Sequence, residues 1–398
     1  MSRFSILTLN NIAGIGLKRL PADLYSHGSD IVRPDAILVR SHDMHGMAIG
    51  PSVLAVARAG AGTNNIPVAA LSGRGLPVFN APGANANAVN ELVFAAMLIA
   101  CRHLEPALRF VEGLPDVPDD ELAKLVESGK KHFSGVELPN RTIGIIGLGA
   151  IGSRVAATAI AHGMNVLGYD PDLTVDGAWR LPNNVVKAHS VEEVMRRSDF
   201  VTLHVPLVPA TRKLIDADRI GLMRHGGVLL NFARDGLVDE AAVAAALESG
   251  QLSGYLSDFP SARLRRVQGV VAFPHLGASS QEAEENCAVM VVDQLRDYIE
   301  QGNIRNAVNF PTVEMPRESP FRVGIANANV PNMLSQISAA LASANLNIHN
   351  MINKSKGEMA YTLVDVDSPV NAAVVERIRS IEGVLSVRAI PSLEGASR

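Results

Sequence analysis

The stretch TIGIIGLGAIGSRVAATAIAHGMNVLGYD, residues 142–170, decides the architecture of the middle of the chain. It reads as an apolar strand, a glycine turn, an amphipathic helix and a second strand. The turn GLGAIG, residues 147–152, has glycine at the three positions that a dinucleotide fingerprint requires. The first glycine permits the tight turn, the second lets the backbone approach a pyrophosphate, and the third lets the helix pack closely on the strand.

An acidic residue, Asp170, ends the second strand of this unit, close to the roughly twenty-residue spacing of such fingerprints. Its carboxylate can accept hydrogen bonds from ribose hydroxyls and would repel a 2′-phosphate, which favours NAD over NADP. The helix N-terminus adds amide N–H groups and a partial positive charge. The alternative is a bare strand-turn-helix unit in which Asp170 is only a surface cap.

More α/β units surround this one. The runs DFVTLHVPL, GGVLLNFAR and GVVAFPHLG are apolar strands between helical stretches, which predicts a parallel sheet covered by helices on both faces. Residues 31–80 alternate short apolar runs with polar turns and predict a second α/β sheet. A helix that is apolar on most faces follows from Ala88 to Val111. After NFPTVEMPRESP, which reads as a linker, the order is strand, helix, strand, strand, helix, strand, as in a ferredoxin-like unit.

The composition narrows the class of protein. At 398 residues the chain is too long for one ordinary core, so two or three domains are expected. The net charge of −4, with Lys and Arg spread along the chain, argues against nucleic-acid binding. Cys101 and Cys287 lack metal-ligand spacing and fit a reducing compartment. This cysteine spacing leads us to expect no metal site. Because the chain has neither a signal-like N-terminus nor an apolar run of membrane-spanning length, we expect a cytoplasmic protein without a membrane partner.

Two residues that could carry chemistry follow predicted strands, where open α/β sheets bind ligands. Arg234, in NFARDGLVDE, could grip a carboxylate and polarise a neighbouring carbonyl. The alternative is a surface arginine paired with Asp235 or Asp239. His275, in PHLGAS, could donate a proton to an alkoxide as hydride arrives. The alternative for a lone histidine is a structural role.

Five motifs together resemble a known family. GLGAIG with Asp170, LHVPL, NFARDGLVDE, SDFP and PHLGAS, in this order and spacing, are similar to those of the D-2-hydroxyacid dehydrogenases. The C-terminal run FRVGIANANVPNMLSQISAALASANLNIHNMINKS resembles an ACT domain, the amino-acid-binding module at the end of many such enzymes. The resemblance covers essentially the whole chain. It implies the branch of the family that oxidises 3-phosphoglycerate with NAD, at the start of phosphorylated serine synthesis.

The resemblance also implies an architecture. We expect a Rossmann-type nucleotide domain inserted in a flavodoxin-like substrate domain, followed by a ferredoxin-like ACT domain. The expected ranges are 1–88 for the first part of the substrate domain, 89–276 for the nucleotide domain, 277–308 for the returning substrate segment, 309–319 for the linker and 320–398 for the ACT domain. Closure of the cleft between the first two domains would exclude water from the hydride path.

The site residues are carried over one by one. By resemblance, Arg234 binds the substrate carboxylate and polarises the C2 oxygen, His275 is the acid/base, and Asp258 faces the nicotinamide carboxamide. The expected NAD-binding residues are Gly147, Gly149, Ala150, Ile151, Gly152, Asp170, Val205, Pro206, Phe232, Ala233, Asp258, Gly277 and Ala278. The expected substrate-binding residues are Arg40, Ser41, Arg58, Ala59, Gly60, Ala61, Lys130 and Lys131, of which the two lysines have the alternative of being solvated surface residues.

One departure from the family concerns the partner of His275. Most members carry a glutamate five residues after the position of Asp258, and this glutamate orients the histidine and raises its pKa. The present chain has Arg263 there. Three hypotheses remain open: a carboxylate of the segment from Glu282 to Glu285 substitutes, a carboxylate of the N-terminal region substitutes, or His275 works without an acidic partner. SSQE is typical of a helix capping box, which favours a capping role for Glu282.

The ACT resemblance implies an effector and an assembly. In related enzymes serine binds between paired ACT domains, and Asn327, Asn329 and Asn347 fall on the corresponding positions. Asn327 replaces a histidine of serine-sensitive relatives, and Asn332 replaces a usual glycine. The resemblance leads us to expect a homodimer or homotetramer with L-serine as effector. The two replacements weaken the serine expectation, and the alternative is an ACT unit that only dimerises.

Two other functions remain as alternatives. The chain could be a dehydrogenase for glyoxylate, lactate, 2-oxoglutarate or another 2-hydroxyacid or 2-oxoacid. It could also be a non-catalytic scaffold that senses NAD(H) and binds proteins, since the usual glutamate is missing. Turnover of a 2-oxoacid would separate the enzyme hypotheses from the scaffold.

Overall fold

The computed structural model describes residues 4–392 and divides the chain into two compact units. The first combines the residues up to Asn85 with those from Gln281 onward, and the second is Ala86–Ser280. The division therefore falls at 85/86 and 280/281, where the sequence suggested 88/89 and 276/277. The ACT region belongs to the first unit rather than standing apart.

The first unit begins with a five-stranded parallel sheet. Its strands are β1 (Phe4–Leu9), β2 (Tyr25–Gly28), β3 (Ala36–Val39), β4 (Ala55–Arg58) and β5 (Val78–Phe79), with helices α1 (Gly14–Leu17) and α2 (Val68–Ser72) between them. The strand order β2-β1-β3-β4-β5 is that of a flavodoxin-like sheet. β3 is buried along its whole length, which explains its uninterrupted apolar sequence.

The second unit holds a seven-stranded parallel sheet in the order β12-β11-β10-β9-β6-β7-β8. Strand order reverses between β6 and β9, and such a switch point is where open α/β sheets bind ligands. The strands are β6 (Thr142–Ile146), β7 (Asn165–Tyr169), β8 (Val185–Lys187), β9 (Phe200–Leu203), β10 (Gly227–Asn231), β11 (Leu252–Ser257) and β12 (Val270–Ala272). The helices are α3 (Ala86–Cys101), α4 (Leu104–Glu112), α5 (Asp119–Gly129), α6 (Ala150–Ala161), α7 (Val175–Trp179), α8 (Val191–Arg197), α9 (Ala217–Gly221) and α10 (Glu240–Glu248), with 3₁₀ turns at Lys130–Phe133, Pro209–Thr211 and Asp235–Leu237.

The chain then returns to the first unit through α11 (Gln281–Gln301) and ends in the ACT sheet. The remaining elements are β13 (Phe321–Ala328), α12 (Met333–Ala342), β14 (Ile348–Lys356), β15 (Met359–Val366), α13 (Ala372–Arg379) and β16 (Val384–Pro391). The antiparallel order β14-β15-β13-β16 is ferredoxin-like. The fold class expected from the sequence is thereby confirmed. Across residues 4–392, no helix has the length and apolarity needed to cross a membrane.

The segment between α11 and β13, read from sequence as a linker, is packed. Phe310, Val313 and Met315 are buried in the core of the first unit. Asn309 is also buried; its side chain accepts a hydrogen bond from the N–H of Val78 at 2.9 Å and donates to Leu76 O at 2.9 Å. These contacts hold the segment against β5, because a buried amide side chain requires such partners.

The ACT sheet shares a hydrophobic core with α11. Tyr298 of α11 and Tyr361 and Ile390 of the ACT sheet belong to one buried cluster. The Arg388 guanidinium lies 4.5 Å from the centre of the Tyr298 ring and donates to Ile299 O at 3.1 Å. This common core explains why the ACT region falls into the same compact unit as the first sheet.

Candidate active site

The predicted nucleotide and catalytic residues collect at one edge of the seven-stranded sheet. All seven strands are parallel, so their carboxyl ends lie at the same edge. The glycine turn follows β6, and each later strand contributes its own short segment. These segments supply Asp170 after β7, Val205 and Pro206 after β9, Phe232, Ala233 and Arg234 after β10, Asp258 after β11, and His275, Gly277 and Ala278 after β12.

Two glycines of the turn are required by packing. Gly147 has φ +94°, and a Cβ there would lie 2.5 Å from the carbonyl oxygen of His204. A Cβ on Gly152 would overlap the carbonyl oxygen of Gly147. The first and last glycines therefore allow α6 to begin directly against the end of β6.

The middle glycine leaves open space where a dinucleotide would lie. A Cβ on Gly149 would meet no heavy atom within 4 Å. Ala150 and Ile151 form the first turn of α6, whose N-terminal amides can bind a pyrophosphate. Asp170 is held beside the turn, because its carboxylate accepts from Leu148 N at 2.8 Å and from Asp172 N at 3.0 Å. These residues fit an NAD molecule.

Arg234 is presented by a loop that a buried asparagine shapes. Asn231, the last residue of β10, is fully buried. Its amide donates to Arg234 O at 2.8 Å and its oxygen accepts from Ala233 N at 3.3 Å. The exposed Arg234 guanidinium donates to Ala233 O at 2.6 Å, and no carboxylate among residues 86–280 pairs with it. Asp239 Oδ2 instead lies 2.9 Å from Lys213 Nζ, so Asp239 pairs with this lysine and not with Arg234.

His275 lies in an unusual backbone conformation. Its φ is +57°, in the left-handed region that non-glycine residues seldom occupy. The backbone N–H of His275 donates to Phe273 O at 2.9 Å and to Asp258 O at 3.2 Å. The ring is exposed, stands edge-on to Phe259 at 5.2 Å, and receives no hydrogen bond from residues 86–280.

Asp258 fixes the turn that carries this histidine. Its carboxylate is 1% exposed and accepts from Leu276 N at 2.7 Å and from Gly277 N at 2.8 Å. Burial raises the pKa of Asp258, while the two amide donors and the nearby His275 oppose that rise. Within the second unit, His275 is thus positioned through its backbone by Asp258 rather than by a carboxylate on its ring. Each carboxylate oxygen accepts from one amide and has a lone pair left, so the contact with the nicotinamide carboxamide that the resemblance implies stays a prediction.

Changing Asp258 should therefore lower turnover without unfolding the protein. In Asp258→Asn the side-chain oxygen still accepts from one of the two backbone N–H groups. The new NH2 group faces the other N–H and cannot accept from it. The unsatisfied donor costs about 1–3 kcal/mol where it stands, which favours a shift of the turn. Because a small misplacement of a reacting group is costly, we expect kcat to fall about tenfold. Steady-state kinetics and the thermal midpoint would be measured together. An unchanged kcat would contradict the role of Asp258 in positioning His275.

The structure places both Arg263, which stands at the position of the usual glutamate, and the glutamates suggested as substitutes. Arg263 lines a cavity of about 370 Å³ with Arg212, Lys213 and Asp235. Glu284 pairs with Arg40, within the first unit. Glu285 accepts a hydrogen bond from Gln281 at 2.9 Å, and Glu282 lies in the first turn of α11.

A second histidine near the glycine turn is unsuited to proton transfer. Burial lowers the pKa of His204 to about 3, so its ring is neutral at physiological pH. Its Nε2 lies 3.0 Å from Thr202 Oγ1, and its buried Nδ1 has no partner among residues 4–392. His275 therefore remains the better candidate for the acid/base in this unit.

The predicted substrate residues of the first unit lie at the carboxyl end of its parallel sheet. Arg40 follows β3 and Arg58 ends β4, and the two strands pair with Val39 opposite Arg58. Asn65 links them: it accepts from Arg58 Nε at 2.9 Å and donates to Arg40 O at 3.3 Å. The N–H of Ser41 is bound by the Asn10 side chain at 3.2 Å. Sequence analysis missed Asn65, whose only signal was a polar residue in a turn.

The backbone amides proposed to assist are mostly engaged. Ala59 N donates to Val39 O and Gly60 N to Arg58 O, each at 2.8 Å. These two N–H groups are used within the fold, and a substrate-binding role for Ala59 and Gly60 stays a prediction. Ala61 N has no acceptor among residues 4–392, so it is the one amide of the three that could face an anion.

Lys130 and Lys131 lie in the 3₁₀ turn after α5 and are exposed. Lys130 Nζ is 2.5 Å from Glu127 Oε2, three residues earlier. Nothing in their surroundings distinguishes them from solvated lysines, and their role in phosphate binding stays a prediction.

The three asparagines expected to bind serine do not lie close together within one ACT sheet. Asn327 is 1% exposed; it donates to Ala328 O at 2.7 Å, while its Oδ1 has no partner among residues 4–392. Asn329 donates to Gly357 O, at the β14–β15 turn. Asn347 lies at the opposite end, where its N–H donates to Asp367 at 3.2 Å. The eight-residue β13 separates these ends by about 25 Å.

Comparisons with known proteins identify the family of this chain. Residues 94–277 match the family model described as "D-isomer specific 2-hydroxyacid dehydrogenase, NAD binding domain". A D-3-phosphoglycerate dehydrogenase of Haemophilus influenzae is 32% identical over 85% of this chain and 82% of that protein. The TT0316 protein of Thermus thermophilus has a similar structure, with a TM-score of 0.60 and 26% identity over 76% of this chain and 99% of that one. The chain belongs to the D-isomer specific 2-hydroxyacid dehydrogenase family and carries its NAD-binding domain.

Several of the relatives within the family carry the same name, D-3-phosphoglycerate dehydrogenase. A D-3-phosphoglycerate dehydrogenase of Methanocaldococcus jannaschii is 35% identical over 65% of this chain and 48% of that protein. The chain thus spans about half the length of some of the curated relatives that it matches.

Proposed function

We propose that this protein is an NAD-dependent dehydrogenase that oxidises D-3-phosphoglycerate to 3-phosphohydroxypyruvate, the first step of phosphorylated serine biosynthesis. The observation that carries the proposal is the placement of two residues. Arg234, which has no carboxylate partner among residues 86–280, and His275 both lie at the sheet edge that also holds the glycine turn. The names of the relatives supply the choice of substrate.

In this proposal the two residues divide the chemistry. The Arg234 guanidinium binds the substrate carboxylate and draws electron density from the C2 oxygen. A neutral His275 ring nitrogen takes the proton of the C2 hydroxyl as the C2–H bond breaks, and it returns that proton in the reverse reaction. Held at the N-terminus of α6 and by Asp170, NAD would supply the acceptor for the hydride of C2. Asp258 keeps the histidine turn in place through the amides of Leu276 and Gly277.

The substrate phosphate needs cationic partners, because a phosphate dianion binds Arg and Lys through charge-assisted hydrogen bonds. We assign this role to Arg40 and Arg58, with Ser41 and Ala61 N as neutral donors. Lys130 and Lys131 are kept as further candidates.

Oxidation of NADH by the purified protein tests the proposal. 3-Phosphohydroxypyruvate would be compared with pyruvate, glyoxylate and 2-oxoglutarate. We expect the phosphorylated substrate to give the highest kcat/KM. Preference for another 2-oxoacid would replace the substrate but retain the enzyme class. Absence of turnover on every substrate would support the NAD(H)-sensing scaffold instead.

The variant Arg234→Lys tests the catalytic arginine. It keeps the positive charge but loses the planar fork that binds a carboxylate through two parallel hydrogen bonds. We expect kcat/KM to fall about 100-fold, which is the scale of a hydrogen bond to a charged group. The affinity for NADH, followed by fluorescence titration, should be unchanged. A loss of less than threefold in kcat/KM would contradict the assignment.

We also propose that L-serine regulates the enzyme through paired ACT domains. The buried Oδ1 of Asn327 lacks a partner among residues 4–392 and could accept a hydrogen bond from an ammonium group. Because Asn329 and Asn347 lie at opposite ends of one sheet, a site that uses both requires two copies of the chain. Millimolar L-serine should lower the rate and D-serine should not. Equal rates with and without L-serine would leave the ACT domain a role in assembly only.

A homo-oligomer is part of the same proposal. Helix α4 buries none of its residues, and Leu104, Leu108 and Val111 are 40%, 65% and 58% exposed. Such an unburied apolar stripe is typical of a contact surface. Sedimentation velocity would separate a monomer from a dimer or tetramer. A cytoplasmic location is proposed on the two buried free cysteines, Cys101 and Cys287, which fit a reducing compartment.

A further inference from the structure

An ion pair joins the substrate loop to the start of α11. Arg40 follows β3, and Glu284 lies in the first turn of α11, in the same compact unit. Arg40 Nη2 is 2.5 Å from Glu284 Oε1, and the two side chains are 35% and 40% exposed. The contact is therefore partly shielded but still open to a ligand from solvent.

The pair uses only part of the guanidinium. One terminal nitrogen of Arg40 meets one carboxylate oxygen of Glu284. Among residues 4–85 and 281–392, the other N–H groups of Arg40 have no acceptor. An arginine bound in this way still offers a fork of donors, with which it can bind a second anion in bidentate fashion. The hydrogen bond from Arg40 lowers the pKa of Glu284, so the carboxylate stays charged at neutral pH.

The backbone on the arginine side is fixed independently. Asn65 donates to the carbonyl oxygens of Arg40 at 3.3 Å and His42 at 2.7 Å. Asn10 accepts from the N–H groups of Ser41 and His42. The remaining freedom lies in the long Arg40 side chain, which loses rotamer entropy when it is ordered.

The glutamate side is fixed by the helix. α11 is 21 residues long, and Cys287, Ala288 and Val291 are buried in the core of the unit. Gly16 of α1 packs so closely that a Cβ on it would lie 2.7 Å from Ala288. Glu284 therefore projects from a rigid element, which is the better support for a precisely aimed partner.

We propose that Glu284 is a positioning residue that holds the Arg40 guanidinium ready for the anionic group of the substrate. The inference rests on the proposed function, in which Arg40 contacts that anion. Glu284 binds one nitrogen and leaves the rest of the guanidinium for the ligand. Ordering the arginine before binding reduces the entropy lost when the substrate arrives.

Substitution of Glu284 tests the proposal. In Glu284→Ala we expect KM for 3-phosphohydroxypyruvate to rise about tenfold, with kcat within twofold of the wild type. Glu284→Gln retains an acceptor for Arg40 and should recover most of the loss. Binding of 3-phosphoglycerate to the NADH complex, measured by calorimetry, should weaken in parallel, while NADH affinity stays the same. A lower KM in Glu284→Ala would mean that the glutamate competes with the substrate, and it would overturn the proposal.

A matched ion pair on the same helix provides the control. Arg19 Nε lies 2.5 Å from Asp293 Oδ1, with side chains 47% and 40% exposed. Asp293→Asn removes a pair of similar length and exposure from α11, and KM should not change. If Asp293→Asn raised KM as much as Glu284→Ala, the effect would come from the helix in general and the proposal would fail.

A double-mutant cycle separates this inference from the proposed function. If Glu284 acts through Arg40, the variant Arg40→Ala/Glu284→Ala should bind 3-phosphoglycerate no more weakly than Arg40→Ala alone. Additive losses would overturn the positioning role. If Arg40→Ala bound the substrate normally, the inference would be wrong while wild-type turnover still upheld the proposed function. The calorimetric measurement needs no turnover, so the inference is decided even if the proposed reaction is not observed.

Discussion

Replacement of His275 by asparagine should lower kcat by about 1,000-fold, within the range that a positioned acid/base contributes. Asparagine is chosen because it tolerates the left-handed conformation that His275 occupies, with φ +57°. The turn held by Asp258 should therefore survive, while the ring nitrogen that exchanges the proton is lost. Steady-state rates with 3-phosphohydroxypyruvate and single-turnover oxidation of bound NADH would measure the effect.

Two readouts separate this result from misfolding. NADH affinity should be unchanged, because asparagine keeps the backbone of the turn that presents Gly277 and Ala278, and the glycine turn follows a different strand, β6. The thermal midpoint should also stay close to that of the wild type, because asparagine tolerates the left-handed backbone of the turn. A variant that retained more than a tenth of the wild-type kcat would exclude His275 as the acid/base, and another group would have to transfer the proton.

The second large effect is expected on stability, at a buried ion pair of the ACT sheet. Arg322 and Asp365 both have fully buried side chains, with Nε–Oδ1 at 2.7 Å and Nη2–Oδ2 at 2.8 Å. Asp365→Asn leaves the arginine charge buried without its counter-charge. We expect the free energy of unfolding of this unit to fall by about 3–5 kcal/mol, as for other broken buried pairs. Urea denaturation followed by circular dichroism would measure the loss.

The double variant Arg322→Met/Asp365→Leu is the control. It replaces both charges by apolar side chains of similar size, and such exchanges are often neutral or stabilising. Arg322 also donates to the carbonyl oxygens of Gln301 at 3.0 Å, Met315 at 3.0 Å and Pro316 at 2.9 Å, so these acceptors lose their donor. We therefore expect the double variant to lie between the wild type and Asp365→Asn. A loss of less than about 1 kcal/mol in Asp365→Asn would show that the pair contributes little.

The same arginine connects the end of α11 to the ACT sheet. The carbonyl of Gln301 ends the helix, and those of Met315 and Pro316 belong to the segment that sequence analysis read as a linker. Within the first unit, weakening the pair should therefore loosen the ACT sheet from the end of α11 and from the segment that precedes β13. We expect the proposed inhibition by serine to weaken in Asp365→Asn before turnover does.

Local sequence patterns determined the fold class of this protein. Glycine spacing, the strand-helix alternation and the position of Asp170 are all features of short stretches, and the physics that they encode is local as well. Backbone freedom, helix dipoles and apolar faces act over a few residues. The nucleotide turn and the ferredoxin-like order could thus be predicted. The roles of Arg234 and His275 stay predictions, because fold membership does not establish what a site residue does.

Only the tertiary structure decided how the predicted residues are held. Leu276 and Asp258 are 18 positions apart, and Glu284 and Arg40 are 244 apart. Their contacts depend on where separate strands and helices meet, which no short stretch encodes. The same reason explains why the supposed linker is buried and why the amides of Ala59 and Gly60 are engaged. The sequence by itself determined the sheets and the edge at which the candidate residues lie, and the packing between distant segments decided the hydrogen-bond and charge partners of each.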